Sequence, residues 1–179
     1  MKLYPDFVIQ IKGESHQDIN LCYQCKKCTS GCPIAYTMDY TPAQIIHAIR
    51  LGLKELVLNS KTIWLCASCE TCTTRCPQEI DLVKVMDVCK SLAICLRIKP
   101  KIKEVPIFYK LVLTNIRFLG RMYELGLIGA LKLCTGNFMQ DVNLGITMFK
   151  KGKLKLLPSF TFKGALTAMN IFNKAKKVK

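Results

Sequence analysis

Eight of the chain's eleven cysteines fall in two runs with the same spacing. Cys22, Cys25, Cys28 and Cys32, followed by Pro33, recur as Cys66, Cys69, Cys72 and Cys76, followed by Pro77, with an offset of 44 residues at all four positions. Thiolates are soft metal ligands. Three of them, two residues apart, can wrap a tight loop around one compact inorganic core, with backbone N–H groups turned toward the sulfurs. The fourth cysteine precedes a proline and is carried away from its own loop. Two chemistries are open to such a set. A zinc site pairs two short hooks, so paired C-x2-C would be its expected form. A third cysteine two residues on, and a fourth before proline, is instead the signature of a loop that binds a [4Fe–4S] cluster. One such run fits either chemistry; two with identical spacing favour iron–sulfur.

The remaining chemistry-bearing residues are fewer. Cys89 and Cys95 fall in an apolar stretch and Cys134 in the rear half of the chain. They read as small buried hydrophobes, with a redox role for Cys89 or Cys95 as the alternative. Trp64, two residues before Cys66, reads as core that shields a cluster. His16 and His47 lack metal-ligand spacing, and His47 reads as structural, near the apolar side of its helix. No glycine-rich phosphate loop, flavin or nicotinamide fingerprint, or nucleophile–base pair is visible, so no catalytic residue is assigned. Such a chain can move electrons, but nothing in it points to a substrate.

The elements that must position the cysteines follow from capping signals and periodicity. Met1–Lys12 alternates weakly through Phe7, Ile9 and Ile11, which suggests a short edge strand or an extended arm. After the first cysteine loop, Thr41, Pro42 and Gln44 form a capping box with proline at the first helical position. Ile45, Ile46, Ile49, Leu53, Leu56 and Val57 supply the apolar face of that helix, which Gly52 bends or splits. Asn59 and Ser60 mark its end. Asp81 caps a helix from about Leu82 to Arg97 that is apolar over most of its circumference and so is buried on more than one side. In the rear half, Pro106 opens a helix reaching Leu127, its regularity weakened by Gly120, Gly126 and Gly129. Leu144–Leu157 reads as a short basic helix running into an extended Leu154–Pro158 stretch, and the lysine-rich tail from Lys174 reads as frayed.

Charge separates the two halves. The 179 residues carry a formal net charge of +15. Residues 1–98 hold 11 Lys and Arg against 9 Asp and Glu, while residues 99–179 hold 16 against 3. This predicts a near-neutral domain over 1–98 and a basic, mostly helical extension over 99–179. The longest stretch without an acidic or basic side chain is 11 residues, Cys28–Met38. A membrane-spanning helix needs roughly 20 apolar residues. With no signal-peptide pattern at Met1–Gln10 either, the expectation is a cytoplasmic, reducing location, where clustered cysteines serve metals more often than disulfides. Nucleic-acid binding through a structural metal is a weaker alternative, because the rear lysines are interleaved with apolar residues rather than with stacking aromatics.

The run Cys-Tyr-Gln-Cys-x-x-Cys-Thr-Ser-Gly-Cys-Pro, the long insert, and Trp-x-Cys-x-x-Cys-x-x-Cys-x-x-x-Cys-Pro at Trp64–Pro77 resemble the α-helical ferredoxin family. Succinate dehydrogenase iron–sulfur subunits carry a related module. The resemblance implies an all-α fold in which a helical bundle surrounds two [4Fe–4S] clusters. In ferredoxins with two clusters, the fourth cysteine of each run ligates the other cluster. Carried over, Cys22, Cys25, Cys28 and Cys76 hold one cluster, and Cys66, Cys69, Cys72 and Cys32 the other. Within that family, Arg117–Glu124 and the Gly152–Pro158 segment also resemble the small iron–sulfur C subunits of methanogen heterodisulfide reductases. Lys26 departs from the glycine that relatives often have there. The resemblance implies an electron-transfer component of a soluble complex, without an active site of its own. It would pass electrons from a flavin-containing A subunit to the B subunit, which reduces the CoM-S-S-CoB disulfide of methanogenesis. A hydrogenase or formate dehydrogenase would feed the larger complex. An iron–sulfur subunit of a glycolate, glycerol-3-phosphate or succinate dehydrogenase-like enzyme is the alternative. Two oxidised clusters with their thiolates carry about −4, which would bring the whole chain to about +11.

Overall fold

The computed structural model describes residues 3–136, 142–152 and 162–177. The chain is all-α: among the described residues every regular element is a helix or a 3₁₀ turn. It forms two compact units, Met1–Lys103 and Glu104–Lys179.

In the first unit, α1 spans Pro5–Ser15. This is the region whose weak alternation suggested a strand or an arm. Proline at the first helical position starts it, and Phe7, Ile11 and Ser15, spaced by four, form its buried line. Ile9, which the alternation had placed with Phe7 and Ile11, is 70% exposed. A three-residue alternating sample fits both periods, and the i, i+4 burial decides between them. The first cysteine loop contains the 3₁₀ turn Ile19–Leu21 and the short helix α2, Lys27–Ser30.

Next come α3 (Pro42–Arg50) and α4 (Lys54–Leu58). The capping box at Thr41 and Gln44 is present, and Gly52 splits the helix in two. Gly52 has φ +69°, and a Cβ there would lie 2.8 Å from the carbonyl oxygen of Tyr4. That close approach lets the Tyr4 N–H donate to the Gly52 carbonyl at 2.9 Å, pinning the residue before α1 to this turn. The second cysteine loop holds α5 (Thr62–Leu65) before its first cysteine and α6 (Thr71–Thr74) within it. Then α7, Leu82–Cys95, runs from its Asp81 cap through the centre of the unit. The core gathers Phe7, Ile11, Ile45, Ile49, Val57, Ile63, Trp64, Val85, Met86 and Cys89 from α1, α3, α4, α5 and α7. The half-buried cysteines Cys22, Cys28, Cys66, Cys72 and Cys76 pack on its edge.

The second unit contains α8 (Glu104–Leu119), α9 (Glu124–Thr135), α10 (Val142–Lys150) and α11 (Phe162–Lys177). The helix expected to run to Leu127 is two helices. Gly120, at φ +72°, turns the chain, and a Cβ there would lie 2.3 Å from the Ala165 nitrogen. Asn115 brackets the turn: its amide donates to the Tyr123 carbonyl at 3.0 Å and its oxygen accepts from the Tyr123 N–H at 2.9 Å. Helix α11 continues through Lys177, so Lys174 begins no fray among the described residues. The expected extended stretch Leu154–Pro158 lies outside the described residues. Leu127, Ala165 and Ala168 are the buried apolar side chains described for this unit.

Candidate iron–sulfur site

Two recesses open between the cysteine loops and the ends of α3 and α7. One, of about 350 Å³, is lined by Cys22, Cys25, Cys28 and Cys76. The other, of about 440 Å³, is lined by Cys66, Cys69, Cys72 and Cys32. Each therefore draws three cysteines from one run and the fourth from the other. Ala43, Ile46, Ile80 and Leu82 back the first recess; Pro42, Val83 and Met86 help to back the second. Among the described residues, no three His, Cys, Asp or Glu side chains converge as on a single metal ion. The thiols stand around a volume rather than a point.

The two loops are built alike. Gln24 and Lys26 in the first, Ser68 and Glu70 in the second, all adopt left-handed backbone conformations, at φ +60°, +62°, +52° and +60°. Each such non-glycine residue costs about 1 kcal/mol or more. Left-handed residues alternating with ordinary ones turn successive N–H groups into one concavity, an arrangement found around anionic groups and iron–sulfur sites. Helices α2 and α6 then start at matching positions. Thr29 Oγ1 accepts from the Ala43 N–H at 3.2 Å, and its counterpart Thr73 donates to Asp81 at 3.3 Å, so each loop is tied to the start of the helix that follows it. The first cysteine of each run has a cation on its carbonyl: Arg50 on Cys22 at 2.6 Å and Lys90 on Cys66 at 3.0 Å. Gln17 accepts from the Asp81 N–H at 2.9 Å and holds the start of α7 to the end of α1.

Asp39 joins the loops across the insert. Its carboxylate accepts from the N–H groups of Lys61 and Thr62 at 2.8–3.1 Å and from the Thr62 hydroxyl at 2.9 Å. Helix α5 has no side-chain cap of its own, so Asp39 caps it from the first loop. Burial works to raise the carboxyl, but the Lys61 and Thr62 groups together outweigh it and hold Asp39 below its ordinary value of 3.8. A depressed carboxylate stabilises the fold above its unfolded value and loses that contribution as pH falls through the folded one. Asp39→Ala is expected to cost about 1 kcal/mol near neutrality. In urea unfolding, the gap between wild type and variant should close as pH falls below 3.8; a gap independent of pH would disprove the carboxylate's role.

Burial pushes the Cys72 thiol up to about 11 and raises Cys28. The Thr71 hydroxyl and amide lower the exposed Cys69. Metal binding at such thiols must displace protons. Eight thiols in two sets of four, with amide concavities facing them, match the donor chemistry of [4Fe–4S] clusters.

The other sequence-based assignments divide. Cys89 is fully buried, pushed up to about 12 by burial, and behaves as a small hydrophobe. Cys95 and Cys134 are exposed, which corrects their assignment as buried: Cys95 ends α7 where the helix leaves the core, and Cys134 lies on the outer side of α9. His47 is exposed and is not part of the apolar face of α3. Trp64 is 5% exposed in the core, with no partner for Nε1 among the described residues. Arg50, Lys90 and Asp39 were not singled out from sequence. Only their positions relative to the first cysteine of a run, or before the second, hint at them.

Residues 18–80 match the family described as 4Fe-4S dicluster domain. The matched segment, which carries all eight cysteines of the two runs, is thus similar to iron–sulfur dicluster domains. Part of the chain is similar to C subunits of methanogen heterodisulfide reductases. It is 32% identical over 88 residues to the C subunit of the H2:CoB–CoM heterodisulfide, ferredoxin reductase of Methanothermobacter marburgensis, covering 49% of this chain and 48% of that one. It is 31% identical over 99 residues to the iron–sulfur C subunit of the CoB–CoM heterodisulfide reductase of Methanopyrus kandleri, covering 51% and 52%. With the C subunit of the ferredoxin:CoB–CoM heterodisulfide reductase of Methanosarcina acetivorans it shares 38% over 76 residues, 42% of this chain and 30% of that one. The matches span about half, or less, of each of these relatives. Among the described residues, no helix is long and apolar enough to cross a membrane.

Proposed function

We propose that this chain is the electron-transfer iron–sulfur subunit of a heterodisulfide reductase. It holds two [4Fe–4S] clusters, one on Cys22, Cys25, Cys28 and Cys76 and one on Cys66, Cys69, Cys72 and Cys32. The observation that carries this is the pair of recesses, each lined by three cysteines of one run and the fourth of the other, in a segment similar to named C subunits. Bound clusters supply one-electron storage. The chain's own residues hold the sulfurs, exclude water on the α3 and α7 side, and tie the two loops together. Residues 1–98 are the cluster domain. Residues 99–179, with 16 basic against 3 acidic residues, dock on the partner subunits. Those partners are a flavin-containing A subunit, which delivers electrons, and a disulfide-reducing B subunit, with a hydrogenase or formate dehydrogenase further upstream in a cytoplasmic complex.

Anaerobic affinity purification from the native host tests this. The chain should come out brown with about eight irons, together with a flavoprotein and a second iron–sulfur protein. Alone it should reduce no disulfide. Stoichiometric zinc without iron would overturn the cluster assignment. Disulfide turnover by the isolated chain would overturn the electron-transfer role.

A further inference from the structure

The two recesses share a plan but differ in the groups that face them. The three residues interleaved with the first two cysteines and after them are Tyr23, Gln24 and Lys26 in the first run; their counterparts in the second are Ala67, Ser68 and Glu70. In the first recess the Gln24 amide Nε2 donates to Cys22 Sγ at 3.3 Å, and Gln24 and Lys26 are part of the lining. In the second recess, the residues beside the cysteines are Ala67 and the apolar side chains of Pro33, Ile34, Met38, Val83 and Met86. Ser68, the counterpart of Gln24, turns to Asp87 at 3.5 Å instead of to sulfur. Glu70, the counterpart of Lys26, adds a negative charge where the first loop has a positive one. The cations on the carbonyls differ in the same sense. Arg50 on Cys22 has no carboxylate partner in hydrogen-bond contact among the described residues, whereas Lys90 on Cys66 is paired with Asp87 at 3.2 Å. One contact runs the other way: Cys69 Sγ meets the Thr71 hydroxyl at 3.5 Å.

Reduction adds one negative charge to a cluster. Hydrogen bonds to the sulfurs and nearby cations stabilise the reduced form, and an apolar wall or a nearby carboxylate destabilises it. On this balance the first recess holds more of the groups that favour reduction.

We infer that Gln24 and Lys26 set the cluster on Cys22, Cys25, Cys28 and Cys76 at the higher reduction potential of the two, making it the electron-accepting centre within the chain. The inference rests on the two-cluster reading above and deepens it. One electron passes from the reduced centre on the Cys66 side to the oxidised centre on the Cys22 side. One cluster is oxidised, the other reduced, and no bond or proton changes.

The test exchanges matched residues in the purified holo-chain. Gln24→Ser with Lys26→Glu gives the first loop the second loop's residues; Ser68→Gln with Glu70→Lys does the reverse. Both pairs keep non-glycine residues at positions that already hold them in the left-handed conformation. Potentials are read by redox titration followed by EPR, with iron and sulfide counted in each sample. In wild type, two reduction waves should separate. The first double variant should move the higher wave down and leave the lower in place, and the second should move the lower wave up. If the first variant shifts the lower wave, or neither variant shifts either wave, the inference is wrong. Iron near four instead of about eight would mean that the two-cluster reading itself had failed, which the iron count reports separately from the potentials.

Discussion

Cys32→Ala should abolish the EPR signal of the centre that also loses its signal in Cys69→Ala, while Cys25→Ala abolishes the other. By sequence alone Cys32 belongs with Cys22, Cys25 and Cys28. In space it lines the recess of Cys66, Cys69 and Cys72, and Cys76 replaces it in the first. The path of the chain explains the crossing. After α2 the chain passes Gly31, which lies against the Arg75 side chain at the matching point of the other run. The residues before the two proline-linked cysteines thus meet, and each cysteine passes to the opposite side. A four-thiolate cluster that loses one ligand is held by three, so each variant should hold less iron than wild type. If Cys32→Ala and Cys25→Ala share a lost signal, each run serves its own cluster and the crossing is refuted.

Removing the iron should unfold the first unit. Without clusters, the two recesses would be bounded by thiols and by apolar side chains of α3 and α7. Left-handed residues at Gln24, Lys26, Ser68 and Glu70 would store strain with nothing to offset it. Structural metal sites contribute on the order of 10 kcal/mol, while whole domains are stable by only about 5–15 kcal/mol. The metal term therefore decides whether this small unit folds. Chelation under reducing, anaerobic conditions should lower the helical circular dichroism and erase the cooperative melt. Iron and sulfide added back should restore both. An apo-protein that melts like the holo-protein would show that the core of Phe7, Ile45, Trp64 and Met86 suffices alone.

The cysteine pattern carried most of the site. The capping box at Thr41, the split at Gly52 and the Asp81 cap were legible because each depends on residues within a few positions of one another. The first helix was not. Phe7, Ile9 and Ile11 fit two periods, and only packing of Phe7 and Ile11 against the core selects the helix. Cys95 and Cys134 looked like core because cysteine usually is; their exposure depends on where α7 and α9 leave their neighbours, which no local window contains. The cap from Asp39 onto α5 spans 22 residues, and the Arg50–Cys22 and Lys90–Cys66 contacts span 28 and 24. Pairings at that distance follow from the finished fold, though the doubled motif hints that what one loop has, the other has too.

Because each recess borrows its fourth thiol from the other run, neither can be finished early. A nascent chain that has emerged only through the first loop and α3 has three of four cysteines for one centre and one of four for the other. The set that includes Cys32 is complete only once Cys72 has emerged, and the set that begins with Cys22 only once Cys76 is free to fold back. Cofactor insertion is thereby tied to the release of nearly the whole unit, and a polypeptide truncated between the two runs presents no complete four-cysteine set to the assembly machinery.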